Sequence, residues 1–143
     1  MAVRHATAKW QGTLKEGSGH VALQSGAFEG PYSFSTRFED GKGTNPEELL
    51  GAAHAGCYSM ALNAALERAG HTPNYVNTTA KVHLERGEKG MAITKIELEV
   101  EADVPGLSEA DFQQHAEATK TGCIISVALA NVPMELSAKL VSA

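Results

Sequence analysis

The sequence has 143 residues, a length that suits one domain with a single hydrophobic core. Hydrophobic residues make up 43% of it, which excludes a disordered or fibrous chain, and the formal net charge of -5 disfavours nucleic acid and anionic membranes as partners, since both select basic patches. The N-terminus lacks the apolar core of a signal peptide, and the longest uncharged run, Leu49 to Leu66, holds glycine, histidine and asparagine and is too polar for lipid. A soluble cytoplasmic protein is therefore expected.

The first third of the chain is predicted to form strands. Apolar and polar residues alternate over residues 8–14, the turn KEGSG follows, and HVALQSG returns, so this segment predicts a hairpin. The segment PYSFSTRFE predicts a third strand, in which Tyr32, Phe34, Thr36 and Phe38 share one face. Arg37 then lies on the polar face.

The longest helix is predicted to begin after Asn45, a favourable N-cap, and to end at Gly70. Pro46 suits its first position, and Glu48 stands where a capping box has a carboxylate. Since the helix is apolar nearly all round, it must be covered on several sides. In a chain this small, a second copy of the protein can supply part of that cover.

The remaining sequence predicts two long strands, two helices and a last strand. VNTTAKVHLE and AITKIELEVEA flank the turn RGEKG, and Ile96, Leu98 and Val100 share the buried face of the second strand. Ser108 caps the helix SEADFQQHAEATK, Gly122 ends it, and CIISVALAN and VPMELSAKL form a short helix and a strand. The order βββ-α-ββ-α-α-β predicts an α+β fold with antiparallel hairpins rather than a doubly wound parallel sheet.

The two cysteines, Cys57 and Cys123, are the candidates for chemistry. An isolated buried cysteine is usually a small hydrophobic residue, but Cys57 has the small residues Ala53 and Ala61 beside it on the helix, which leave room for another molecule to approach. A reactive cysteine needs a lowered pKa, and Cys57 lies too deep in its helix to gain from the helix dipole. It therefore needs a cation.

Arg37 and His54 are the candidate cations, although each also has a structural explanation. Arg37 fits a solvated strand face, and His54 fits a packed, hydrogen-bonded histidine. Glu47 and Glu48 are ordinary first-turn carboxylates. Because ten residues separate Glu47 from Cys57, about 15 Å along one helix, Glu47 cannot reach the thiol of its own chain directly. If Glu47 serves that thiol, we expect it to do so from a second subunit.

The segment RFEDGKGTNPEELLGAAHAGCYSMAL closely resembles the motif of the OsmC/Ohr family, and the VPG and Gly122-Cys123 segments are similar as well. The KGTNPEEL loop looks like the OsmC branch, the osmotically inducible proteins. The resemblance runs essentially end to end. It implies a single OsmC-like domain over residues 1–143, with antiparallel sheet strands, a long central buried helix and an intertwined homodimer whose active sites lie at the interface.

The resemblance also implies a two-cysteine peroxidase. It would reduce organic hydroperoxides to alcohols, and hydrogen peroxide more slowly, in oxidative and osmotic stress defence. Cys57 matches the peroxidatic cysteine, Cys123 the resolving cysteine that forms a disulfide with it, Arg37 the activating arginine and Glu47 the carboxylate that orients the arginine. The family needs no cofactor or metal, and a dithiol, lipoylated proteins in particular, recycles it. Ile124 stands where the family often has proline.

Three other interpretations stay open from the residues alone. His54, Cys57 and Cys123 could form part of a zinc site in a regulatory module. Cys57 and His54 could act as the nucleophile and base of a hydrolase. In a non-catalytic stress protein, both thiols would be inert.

Overall fold

Three short strands form an antiparallel sheet in the computed structural model, which describes residues 2–141. They are β1 (Ala6–Gln11), β2 (Ser18–Leu23) and β3 (Glu29–Tyr32), paired in that order. Trp10 and Tyr32 pack across the sheet with ring centroids 5.5 Å apart. Only glycine fits at position 19, because a Cβ there would lie 2.4 Å from Tyr32 Cε1. The predicted hairpin is confirmed.

The prediction that the third strand continues through Arg37 is wrong. β3 ends at Tyr32, and Phe34–Phe38 form a short helix, α1. Ser33 caps it reciprocally: Ser33 Oγ accepts from the Thr36 N–H at 3.2 Å, and Thr36 Oγ1 accepts from the Ser33 N–H at 2.8 Å. Phe34 and Phe38 then meet one turn apart, with ring centroids 5.0 Å apart. Arg37 is therefore presented by a helix rather than by a strand face.

The long helix α2 spans Pro46–Arg68, as predicted. Asn45 Oδ1 accepts from the Glu48 N–H at 2.7 Å, while Asn45 Nδ2 donates to the Thr36 carbonyl at 3.0 Å. In the predicted capping box the Glu48 carboxylate would bond to the backbone of Asn45. It accepts from the Thr44 hydroxyl at 2.7 Å instead. Gly70, with φ of +91°, follows the end of the helix.

We expect Asn45→Ala to lower the free energy of unfolding by about 1–2 kcal/mol, since it removes both the cap of α2 and its bond to α1. Asn45→Asp keeps the capping oxygen but loses the Nδ2 donor, and should recover about half of this loss. Urea unfolding of both variants measures the difference. Equal stability of all three proteins would contradict the role of Asn45.

The chain divides between Leu49 and Leu50 into two compact units, and the elements after α2 belong to the second. There β4 (Tyr75–Gly87) pairs antiparallel with β5 (Gly90–Asp103), but β6 (Met134–Leu140) pairs parallel with β5. The predicted antiparallel hairpins are thus confirmed, but the expectation of antiparallel sheet strands is wrong for β6. The intervening helices, α3 (Glu109–Gly122) and α4 (Ile124–Ala128), provide the crossover that a parallel pair requires.

The core of the second unit lies between α2, α3 and one face of this sheet. From α2 it takes side chains four residues apart, His54, Tyr58, Leu62 and Leu66, all fully buried. From β5 it takes the predicted face of Ile96, Leu98 and Val100. The Tyr58 hydroxyl donates to the Ala116 carbonyl at 2.8 Å and so fastens α2 to α3.

The opposite side of α2 is not buried within one chain. Ala52, Ala53 and Gly56 are exposed, and Met60 is 77% exposed. One chain alone therefore leaves part of α2 uncovered, and the expectation that a second copy supplies part of its cover stays a prediction. None of the helices in residues 2–141 is long and apolar enough to cross a membrane.

Candidate active site

Both thiols accept hydrogen bonds from the first turn of α4. Cys57 lies about three turns into α2, and Cys123 is the N-cap of α4. The Ile125 N–H lies 3.4 Å from Cys57 Sγ, and the next amide along the chain, that of Ser126, lies 3.3 Å from Cys123 Sγ. Both cysteines are free thiols, and consecutive amides hold them side by side.

The surroundings of Cys57 within this unit do not favour its thiolate. Burial is the largest cause and raises the pKa of the Cys57 thiol, and the hydrogen bond and charge of Cys123 raise it further. The backbone amides of Ile125 and Ile124 lower this pKa, but the net direction is upward. A nucleophilic Cys57 therefore needs a cation that these neighbours do not supply.

Cys123 belongs to a buried line of polar groups. Its S–H donates to Ser126 Oγ at 3.1 Å, and Ser126 Oγ lies 2.7 Å from Nε2 of His54. Burial lowers the pKa of His54, so the ring is neutral near pH 7. Among residues 2–141, His54 Nδ1 has no hydrogen-bond partner.

Arg37 and Glu47 form a two-point ion pair. Arg37 Nε donates to Glu47 Oε1 at 3.1 Å, and Arg37 Nη2 donates to Glu47 Oε2 at 2.9 Å. The Glu47 side chain is only 10% exposed, whereas that of Arg37 is 40% exposed. The guanidinium also lies 5.5 Å from the ring centroid of Phe38. Capping of α1 and of α2 thus brings together the two residues that the resemblance pairs.

The four site residues predicted from the sequence therefore form two pairs, Cys57 with Cys123 and Arg37 with Glu47. His54 does not supply the cation that Cys57 needs, because its ring is neutral near pH 7 and contacts Ser126 instead. Nor is it bonded to the thiol as the base of a hydrolase would be. In the described part of the chain, no three His, Cys, Asp or Glu side chains are grouped so as to hold a metal ion.

Sequence reasoning missed Ser126 and the amide of Ile125. The available signal was the spacing Cys123-x-x-Ser126, which places the serine at the third position of a helix capped by the cysteine. That spacing alone is common in proteins. Only the fold shows that the serine also meets a histidine 72 residues away in the chain.

The chain is similar to a known protein family. Residues 39–137 match the family described as OsmC-like protein. The chain is 50% identical over 123 residues to the proteins named peroxiredoxin OsmC of Escherichia coli (strain K12) and Shigella flexneri, covering 85% of this chain and 86% of each relative.

Solved structures share the fold. An organic hydroperoxide resistance protein OsmC from Legionella pneumophila has a TM-score of 0.73 and 25% identity, covering 98% of this chain and 100% of its own. The organic hydroperoxide resistance protein OhrB of Bacillus subtilis has a TM-score of 0.71 and 23% identity, covering 94% of this chain and 98% of its own. The α+β architecture and the matched motif lead to one conclusion: this chain belongs to the OsmC-like protein family.

Proposed function

We propose that this protein is a thiol-dependent peroxidase that reduces organic hydroperoxides, and hydrogen peroxide more slowly, to alcohols or water. The observation that carries the proposal is the pair of free thiols, Cys57 and Cys123, which consecutive amides of α4 hold side by side. The name of the 50% identical relative, peroxiredoxin OsmC, supports the same activity.

The reaction has three steps. The Cys57 thiolate attacks the terminal peroxide oxygen, the O–O bond breaks, the alcohol leaves and a sulfenic acid remains on Cys57. The sulfur of Cys123 then attacks the sulfur of this sulfenic acid, which forms a disulfide and releases water. An external dithiol, such as a lipoylated protein, reduces the disulfide by thiol–disulfide exchange. The chemistry of sulfur suffices, so no cofactor enters any step.

Activation of Cys57 is assigned to Arg37. Its guanidinium would stabilise the thiolate and polarise the peroxide through fixed N–H donors, and Glu47 would hold it in place through the observed ion pair. Glu47 and Cys57 are ten residues apart on α2, about 15 Å along the axis, so the arginine comes from a second subunit.

A homodimer also accounts for the uncovered side of α2. Ala52, Ala53, Gly56 and Met60 form an exposed apolar face on a helix whose other side is core, and a second copy would bury it. The same face lies next to Cys57 in the sequence and gives the reaction an apolar pocket for the organic part of the substrate. In this proposal, residues 1–143 act as one cytoplasmic domain in oxidative and osmotic stress defence.

The test is a single turnover without reductant. We expect the reduced protein, mixed anaerobically with one equivalent of cumene hydroperoxide per subunit, to lose both thiols within seconds and to release one equivalent of alcohol. Thiol titration and chromatography of the alcohol measure the two outcomes, and mass spectrometry locates the disulfide between Cys57 and Cys123.

Two matched variants separate the roles of the thiols. Cys123→Ser should still release one equivalent of alcohol but stop at a sulfenic acid that dimedone traps, whereas Cys57→Ser should release none. Survival of both thiols for minutes in the unmodified protein would overturn the proposed function.

A further inference from the structure

Ser126 and His54, which continue a buried line from Cys123, have no role in the reaction proposed above. Because Ser126 Oγ accepts the Cys123 hydrogen at 3.1 Å, its own hydrogen is free to point at His54 Nε2, 2.7 Å away. In this arrangement Nε2 is the acceptor and the ring hydrogen lies on Nδ1. The line therefore runs from a thiol donor to an imidazole acceptor, with the serine hydroxyl between them.

Packing alone does not explain a histidine at this place. His54 is fully buried, and its Nδ1 lacks a partner among residues 2–141. An unpaired buried polar atom is destabilising, and an apolar side chain of similar size would avoid this cost. Among the described residues, Ser126 is the hydrogen-bond partner of this ring, so any chemical role of the histidine acts through the serine.

We propose that Ser126 and His54 form a proton relay that activates Cys123 for disulfide formation. The proposal rests on the two-cysteine reaction given above. Ser126 touches the reacting sulfur and is a catalytic residue in this step. His54 acts through Ser126 and is a positioning residue that also receives the proton.

The relay moves protons, while the electrons pass between the two sulfurs. As the Cys123 sulfur attacks the sulfur of the Cys57 sulfenic acid, its proton passes to Ser126 Oγ, and the Ser126 proton passes to His54 Nε2. The S–S bond forms while the S–O bond breaks, so Cys123 is oxidised and the Cys57 sulfur is reduced from the sulfenic to the disulfide level. The leaving hydroxide takes up one proton and becomes water, and the His54 imidazolium releases one proton. The net reaction therefore consumes no other reactant.

The thiolate that forms during this step has donors in place. Once the relay has moved its protons, the Ser126 hydroxyl donates to Cys123 Sγ, which already lies 3.3 Å from the Ser126 amide. The neutral ring needed at the start is present at pH 7, because burial holds the pKa of His54 below its usual value. Cys57 and Tyr58 of α2 also interact with Cys123, and Glu117 of α3 interacts with Tyr58.

The test measures the two oxidative steps separately at pH 7. After mixing with cumene hydroperoxide, alcohol release reports sulfenic acid formation, and acid-quenched alkylation with mass spectrometry reports the disulfide. We expect Ser126→Ala and His54→Gln each to slow disulfide formation about 100-fold relative to alcohol release in the same variant. Ser126→Thr keeps the hydroxyl and should restore most of the rate. Glutamine can keep the hydrogen bond of His54 but cannot take the proton, so it separates the relay from a purely structural contact.

The pH dependence of disulfide formation tests the relay in the unmodified protein. With the relay, the rate of disulfide formation should be flat above about pH 7, since the base is already neutral; without it, the rate should rise about tenfold per pH unit as the thiolate forms in solvent. A rising profile in the unmodified protein, or unchanged rates in Ser126→Ala or His54→Gln, would overturn the relay. Absence of any disulfide in the unmodified protein would instead overturn the proposed function.

Discussion

Replacing Arg37 by alanine is expected to slow the reaction of Cys57 with cumene hydroperoxide about 1,000-fold. The reason lies in the surroundings of the thiol, where burial and Cys123 raise the pKa of Cys57 more than two amides lower it. In the proposed mechanism, the Arg37 guanidinium reverses this balance and stabilises the oxygen that leaves the peroxide. Stopped-flow measurement of alcohol release, with the thiolate absorbance at 240 nm followed against pH, tests both effects.

Neighbouring carboxylates provide a matched control. Glu47→Gln weakens the hold on Arg37, which Glu47 contacts at 2.9 and 3.1 Å, and should slow the reaction about tenfold. Glu48→Gln removes a carboxylate one position away that is bonded to Thr44 instead, and should leave the rate unchanged. If Arg37→Ala reacts as fast as the unmodified protein, the activating role of Arg37 is wrong.

The segment around Arg37 shows where sequence patterns mislead. Alternating aromatic and polar residues predicted a strand, yet Phe34 and Phe38 also satisfy the four-residue spacing of a helix. The short local bonds between Ser33 and Thr36 decided between the two. By contrast, α2 and α3 were predicted nearly to their ends, because Asn45, Ser108 and Gly122 are strong local boundary signals.

The candidate site was likewise predictable from the sequence only in part. The sequence pattern alone did not decide whether the two thiols are reactive or only packed in the core. The resemblance to a family supplied the pairing of Arg37 with Glu47, and the structure contains the hydrogen bonds between these two side chains. Neither the sequence pattern nor the resemblance indicated Ser126, because its importance depends on a contact with His54, 72 residues away in the chain. The parallel pairing of β6 was missed for a related reason, because it depends on how a crossover returns the chain to the sheet and not on the periodicity of the strand.

If the protein is the homodimer proposed above, mixed dimers should reveal which subunit supplies the arginine. Coexpression of an Arg37→Ala chain and a Cys57→Ser chain with different tags allows the heterodimer to be purified. In it, the one remaining Cys57 belongs to the chain without Arg37, while its partner retains the arginine. If the arginine acts across the interface, this heterodimer should show about half the activity of the unmodified dimer. The Arg37→Ala homodimer, by contrast, should react with the hydroperoxide about 1,000-fold more slowly than the unmodified dimer.

The mirror heterodimer is the control. It combines an unmodified chain with a chain that carries both substitutions, so its one Cys57 has an arginine in its own chain and none in the partner. Action across the interface predicts that this species is nearly inactive, and action within one chain predicts the reverse order of the two heterodimers. Because both species contain the same two substitutions in total, a difference in folding cannot produce the contrast. The reverse order would contradict the helix geometry, since about 15 Å of α2 separates Glu47, which holds Arg37, from Cys57 of the same chain.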